Sequence, residues 1–282
     1  MTSYKHLVLA ALSLALSASP CLAATDTAEH KLGNGMRVIV KPDRRAPVAV
    51  MMLLYQVGSV DEVNGVTGVA HVLEHMMFKG TAATPAGEYS RAIAVAGGRD
   101  NAFTSNDYTG YFAVLQKSQL ELALRLEADR MTNLTFSPEE FAKEIKVVME
   151  ERRLRTDDRP RSQVYEQLMA TALTAHPYRR PIIGWMNDLE NMRVDDARNF
   201  YRSWYTPNNA TLIVVGDVEP EGVTALAEKY FGAIPSRELP ERKPQDEPPQ
   251  LGAKRVTVRA PAELPYVLMA FRTPALRDPE RD

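Results

Sequence analysis

Two hydrophobic periods alternate along this chain. The run VAVMMLLYQVGS, from Val48, is almost continuously apolar and predicts a strand at the centre of a sheet or covered on both faces. Before it, LGNGMRVIVKPD predicts the start of a hairpin, with a turn at Gly33, Asn34 and Gly35. AFTSNDYTGYFAVL reads as two short strands or one bent strand, and ATLIVVGDV as another strand. Helical periods occupy GEYSRAIAVAGG, SQLELALRLEADRM, FAKEIKVVMEERRLR, RSQVYEQLMATAL, VDDARNFYRSWY and EPEGVTALAEKYFG. Ser137, Pro138 and Glu140 give the third of these a start signal, a cap followed by a capping box. A hairpin followed by alternating strands and helices predicts an α+β fold with a mixed or antiparallel sheet.

The patterning also divides the chain. Residues 25–233 read as one domain, and the Pro-rich, charged stretch 234–250 reads as a linker. In 251–282, AKRVTVRA and PYVLMAFRT look like two strands, too few to stand alone. They read as the start of a second, incomplete domain. At the other end, Lys5 and His6 precede an apolar run over 7–18 and small residues around Ala23 and Ala24. That order predicts a signal peptide over residues 1–24, with export across the inner membrane to the periplasm and no membrane attachment after cleavage. Cys21 is the only cysteine, and Pro20 before it argues against a lipid anchor. The mature chain is therefore expected to lack thiolate ligands and disulfides. A formal net charge of −2 gives no reason to expect a nucleic-acid partner.

One apolar helical segment, expected over about 66–77 after Gly65, contains HVLEH. His71 and His75 lie one turn apart on one face, where two imidazoles can converge on one cation, and Glu74 sits beside them. Three buried ionisable groups without partners would cost several kcal/mol, which a divalent cation offsets. H-x-x-E-H is the inverted form of the commoner zinc-peptidase pattern. A third ligand, with no cysteine available, should be a carboxylate from the capped helix. Phe141, Ile145, Val148 and Arg152 mark one stripe of that helix. Glu150 falls opposite the stripe and should face solvent, whereas Glu144 and Glu151 share its flank, and helical geometry does not choose between those two.

These stretches, with AGGRDNAFTSNDYTGYF, EIKVVMEERRLRTDD and HPYRRPIIGW, resemble the pitrilysin/insulinase metallopeptidases, especially bacterial relatives of mitochondrial processing peptidase. The resemblance implies one zinc ion per chain held by His71, His75 and Glu151, with Glu74 as the base that activates the metal-bound water. It implies a supporting role for Glu144. It also places Asn101 and Ala102 on a strand edge that holds an extended peptide substrate. His176 is expected to be structural. The implied activity is zinc-dependent hydrolysis of peptide bonds in unfolded peptides. Members of the family pair two related halves, so a missing C-terminal half or a second family-like subunit is the expected partner. The alternative is a non-catalytic or partner-dependent subunit.

Overall fold

The computed structural model describes residues 27–273, so the expected signal peptide lies outside the described residues. Its framework is a six-stranded mixed sheet. β1 (Ala28–Lys31) and β2 (Arg37–Pro42) form the expected hairpin, and β3 (Val48–Tyr55), β4 (Arg99–Thr104), β5 (Thr109–Gln116) and β6 (Ala210–Gly216) complete it in the order β1-β2-β6-β3-β5-β4. β2 and β6 are parallel and all other pairs are antiparallel. The apolar run at β3 thus lies inside the sheet, between β5 and β6. Its burial nevertheless alternates: Ala49, Met51, Leu53 and Tyr55 are fully buried, and the residues between them are half-buried. Only one face of this strand is fully covered, and that face joins the helices in a single core cluster. The larger of these side chains, such as Met51 and Leu53, each contribute about 1.5–3 kcal/mol by leaving water.

Eight helices occur among the described residues: α1 (Val69–Met76), α2 (Glu88–Val95), α3 (Leu120–Asn133), α4 (Pro138–Arg152), α5 (Pro160–Ala172), α6 (Met186–Asn191), α7 (Val194–Trp204) and α8 (Pro220–Phe231). The expected α+β architecture is therefore present. α6 is the helix that the pattern did not predict; six residues hold less than two turns of periodicity. α1 begins at Val69, later than expected. Gly65 and Gly68 hold left-handed backbone at φ +97° and +88°, and the Glu62 carboxylate accepts the N–H groups of Gly68 and Ala70, both at 2.9 Å. That carboxylate caps the helix from six residues upstream.

In α4, Ser137 Oγ accepts the Glu140 N–H at 3.3 Å and Pro138 opens the helix. The capping box is only half made, because the Glu140 carboxylate pairs with Lys143 at 2.7 Å instead of reaching back. After Arg152 the helix widens into a π turn over Arg153–Asp157. From 235 to 273 no regular structure appears, and the two strands expected there do not form. Leu251, Leu264, Met269 and Phe271 are exposed, and no strand of the sheet is aligned beside them. Strand propensity alone does not supply a hydrogen-bonding partner.

Candidate metal centre

The sequence of α1 divides its surface. Val69, Val72, Leu73 and Met76 recur at i, i+3, i+4 and i+7 and are buried in the core. His71, Glu74 and His75 occupy the opposite face, so packing the apolar stripe turns all three toward a cleft of about 830 Å³. α4 lies alongside α1 with Phe141 and Val148 in the core. Glu144 and Glu151 then face α1, while Glu150 is exposed and pairs with Arg153 at 3.0 Å.

The donor atoms meet there. His71 Nε2 and His75 Nε2 approach Glu151 Oε2 at 3.8 and 3.3 Å, and the three ligand atoms lie within 4.8 Å of one another. Zinc bonds of about 2.0–2.1 Å at tetrahedral angles set donor atoms roughly 3.4 Å apart. Two imidazole nitrogens and one carboxylate oxygen at this spacing fit a zinc ion that retains an open position. Glu144 stands one step behind: its Oε1 meets His75 Nδ1 at 2.7 Å and its Oε2 meets Lys79 Nζ at 2.5 Å. This arrangement leaves His75 Nε2 for the metal and makes the imidazole more basic. The two histidines are not equivalent, because His71 Nδ1 is buried without a partner.

The electrostatics follow from these contacts. Burial, reinforced by the neighbouring His75, holds His71 down to about 4. Burial also pulls on His75, but its bonds to Glu144 and Glu151 outweigh it and raise the imidazole to about 9. Glu151 is held below the usual carboxylate range, first by the His75 bond. Burial resists the same shift at Glu144, where His75 and Lys79 prevail. Glu74 is shifted upward by burial despite the 2.5 Å hydrogen bond it accepts from Thr104 Oγ1.

Asn101 and Ala102 lie on β4, the edge strand of the sheet, and line the same cleft. Asn101 is exposed, and its Oδ1 accepts the Ala102 N–H at 2.9 Å. His176 Nδ1 accepts the Tyr178 N–H at 3.2 Å at the start of a turn. Three residues that contact the candidate site escaped the sequence reading: Lys79, Thr104 and Arg155. Arg155 follows Glu151 by four residues and pairs with it at 2.5 Å, a spacing that sequence does signal. Lys79 similarly follows His75 by four. Thr104 comes from β4, and no local pattern links it to Glu74.

Known proteins resemble this chain in sequence and in fold. The sequence model for insulinase (peptidase family M16) matches residues 37–185, a span containing both helices of the centre. The one described as the peptidase M16 inactive domain matches 191–282. The chain is 36% identical over 252 residues to the zinc protease PqqE of Helicobacter pylori, covering 87% of this chain and 56% of that protein. It is 34% identical over 250 residues to an uncharacterized zinc protease of Mycobacterium leprae, covering 86% of this chain and 55% of the relative. It superposes on the crystal structure of a protease from Helicobacter pylori with TM-score 0.76 and 36% identity, covering 79% of this chain and 54% of that one. With the first half of the periplasmic protease PqqL from Escherichia coli the TM-score is 0.71 at 30% identity, with coverage of 78% and 49%. The chain thus spans about half the length of the curated relatives it matches. By sequence and by fold, it belongs to the insulinase family, peptidase family M16.

Proposed function

We propose that this chain carries the zinc centre of an endopeptidase that cleaves unfolded peptides or small polypeptides. The observation that carries this reading is the convergence of His71 Nε2, His75 Nε2 and Glu151 Oε2 beside the Glu74 carboxyl group in one open cleft. His71, His75 and Glu151 hold the metal, and the Glu144 bond to His75 Nδ1 fixes the imidazole that faces it. When bound, zinc acidifies water and polarises the scissile carbonyl. Glu74 takes a proton from the attacking water and delivers it to the leaving amine. Its upward shift by burial suits a base that must also serve as an acid near neutral pH. The free edge of β4 at Asn101 and Ala102 offers main-chain hydrogen bonds to an extended peptide, which explains how sequence-tolerant binding is achieved.

In this reading residues 25–233 form the peptidase domain, 234–250 the linker and 251–282 the beginning of a second unit. A signal peptide over 1–24 delivers the protein to the periplasm. One fact supports that location: the neighbour PqqL from Escherichia coli is described as periplasmic. A fluorogenic peptide assay with and without chelator tests the function. Glu74→Gln should keep stoichiometric zinc while cleavage falls by about 10²–10⁴-fold or more. Undiminished cleavage by the zinc-loaded variant would remove Glu74 as the base. A second reading, a subunit active only with a partner half, is favoured by the match of 191–282 to a domain described as inactive. It predicts zinc binding by this chain alone, with cleavage appearing on addition of the second half.

A further inference from the structure

The cleft holds charges that the hydrolytic centre does not use. Its acidic lining is fully engaged. Glu74 accepts from Thr104, Glu151 is shared by His75 and Arg155, and Glu166 takes Arg152 Nη1 and Nη2 at 2.8 and 3.0 Å. Of its basic lining, Arg155 is paired with Glu151, but three arginines are not. Arg161 from α5, with Arg179 and Arg180 from the loop after it, face the cleft and form no ion pair among the described residues.

Each of the three is held by weaker contacts. Arg161 lies 5.3 Å over the Tyr266 ring, and Arg179 Nη1 donates to the Thr174 carbonyl at 2.9 Å. Arg180 is only 9% exposed, yet its Nη2 makes a long 3.4 Å contact to the Val60 carbonyl and its buried Nε has no partner. Glu62 is near enough to act on Arg180 electrostatically but forms no ion pair with it within 4.0 Å; its oxygens accept the N–H groups of Gly68 and Ala70. A guanidinium this deep, with an unpaired N–H and no paired carboxylate, is costly unless something that binds there completes it. Planar guanidinium groups match carboxylates in a bidentate fork.

The geometry points to peptides bearing a carboxylate as the preferred occupants of this cleft, with Arg161, Arg179 and Arg180 receiving an acidic side chain or the peptide's C-terminal carboxylate. This inference rests on the reading that the cleft binds peptides. It adds a substrate class to it.

The zinc-loaded 282-residue chain carrying Glu74→Gln reports binding without turnover. Fluorescence anisotropy is measured with matched amidated peptides holding a central acidic, neutral or basic pair, and with a neutral peptide whose C-terminus is free. We expect the acidic peptide to bind about tenfold tighter than the basic one, with the advantage shrinking at high salt. A gain confined to the free C-terminus would assign the site to the chain end; a gain confined to the acidic pair would assign it to a side chain. Arg161→Glu combined with Arg179→Glu should reverse the order while zinc content and circular dichroism stay unchanged. Arg180→Lys, which keeps charge but loses the fork, should weaken acidic peptides selectively. Equal affinities, an order that survives the double reversal, or no binding of either carboxylate-bearing peptide would overturn the inference. Wild-type cleavage indifferent to charge would refute this assignment alone, whereas no zinc and no cleavage of any peptide would refute the peptidase reading.

Discussion

Each charged side chain at the metal centre has a different environment, and those environments separate their roles. His75 is bonded on both nitrogens, to Glu144 on one side and to Glu151 on the other, whereas His71 meets only Glu151. In the proposed zinc site Glu144 would therefore act on the metal through His75. Replacing it with glutamine removes the charge that keeps His75 Nδ1 protonated and its Nε2 free. Zinc affinity should drop about 10–100-fold in Glu144→Gln, read by competition with a chromophoric chelator. An unchanged affinity would show that the 2.7 Å contact does not support the site. Glu150 provides the internal control, since it is exposed and its substitution should leave zinc affinity untouched. The amphipathic stripe distinguished Glu150 from its neighbours at the level of sequence. It did not distinguish Glu144 from Glu151, because both lie on one flank and only the position of α1 decides which oxygen meets the Nε2 atoms.

At the scale of elements, the start of α1 depends on two backbone approaches and one buried carboxylate. A Cβ on Gly68 would lie 2.6 Å from the Ile183 carbonyl oxygen, and one on Gly184, at φ +86°, 2.3 Å from the Thr67 carbonyl oxygen. The two loops interlock through bare backbone, and Arg152 Nη1 binds the Gly184 carbonyl at 2.8 Å, tying α4 into the same junction. Gly68→Ala should destabilise the fold by roughly 1–3 kcal/mol or more, visible as a lowered thermal midpoint, and zinc affinity should fall with it as His71 is displaced.

Glu62 gives the junction a pH dependence. Burial raises its carboxyl group to about 8 against two backbone N–H bonds that favour the anion. A folded-state value above the ordinary 4.5 means that the native state binds the extra proton. The associated stability is complete below pH 4.5 and is lost as pH rises through about 8. Denaturant titrations of the metal-free protein should show Glu62→Gln gaining on the wild type across that window; a difference that is flat with pH would refute the assignment.

For the whole molecule, the centre is assembled from residues 71–151, all within one packed unit, so the 282-residue chain should take up one zinc ion by itself. At free zinc about 100-fold above its Kd, binding should add about 2.7 kcal/mol to unfolding, and chelator should remove that increment. A thermal midpoint indifferent to both would mean that the donors are not held as a site. The segment 235–273 behaves differently from the rest. It is anchored where Glu247 receives the N–H groups of Thr174, Ala175 and His176 at 2.6–2.8 Å, but its apolar side chains are largely exposed.

Local pattern determined much of this protein. The strand runs, seven of the eight helices, the solvent-facing Glu150 and the pairing of His71 with His75 follow from periods of two and 3.6 residues and from turn chemistry. Tertiary structure decided what depends on contacts between distant segments. It brought Glu151 to the Nε2 atoms, Glu144 to His75 and Thr104 to Glu74. It set β4 as the free edge, made β2 and β6 parallel, and withheld strand structure from 253–273. The division has one physical cause: a helix or strand face is fixed by covalent spacing, whereas the partner of that face is fixed by which apolar surfaces pack together.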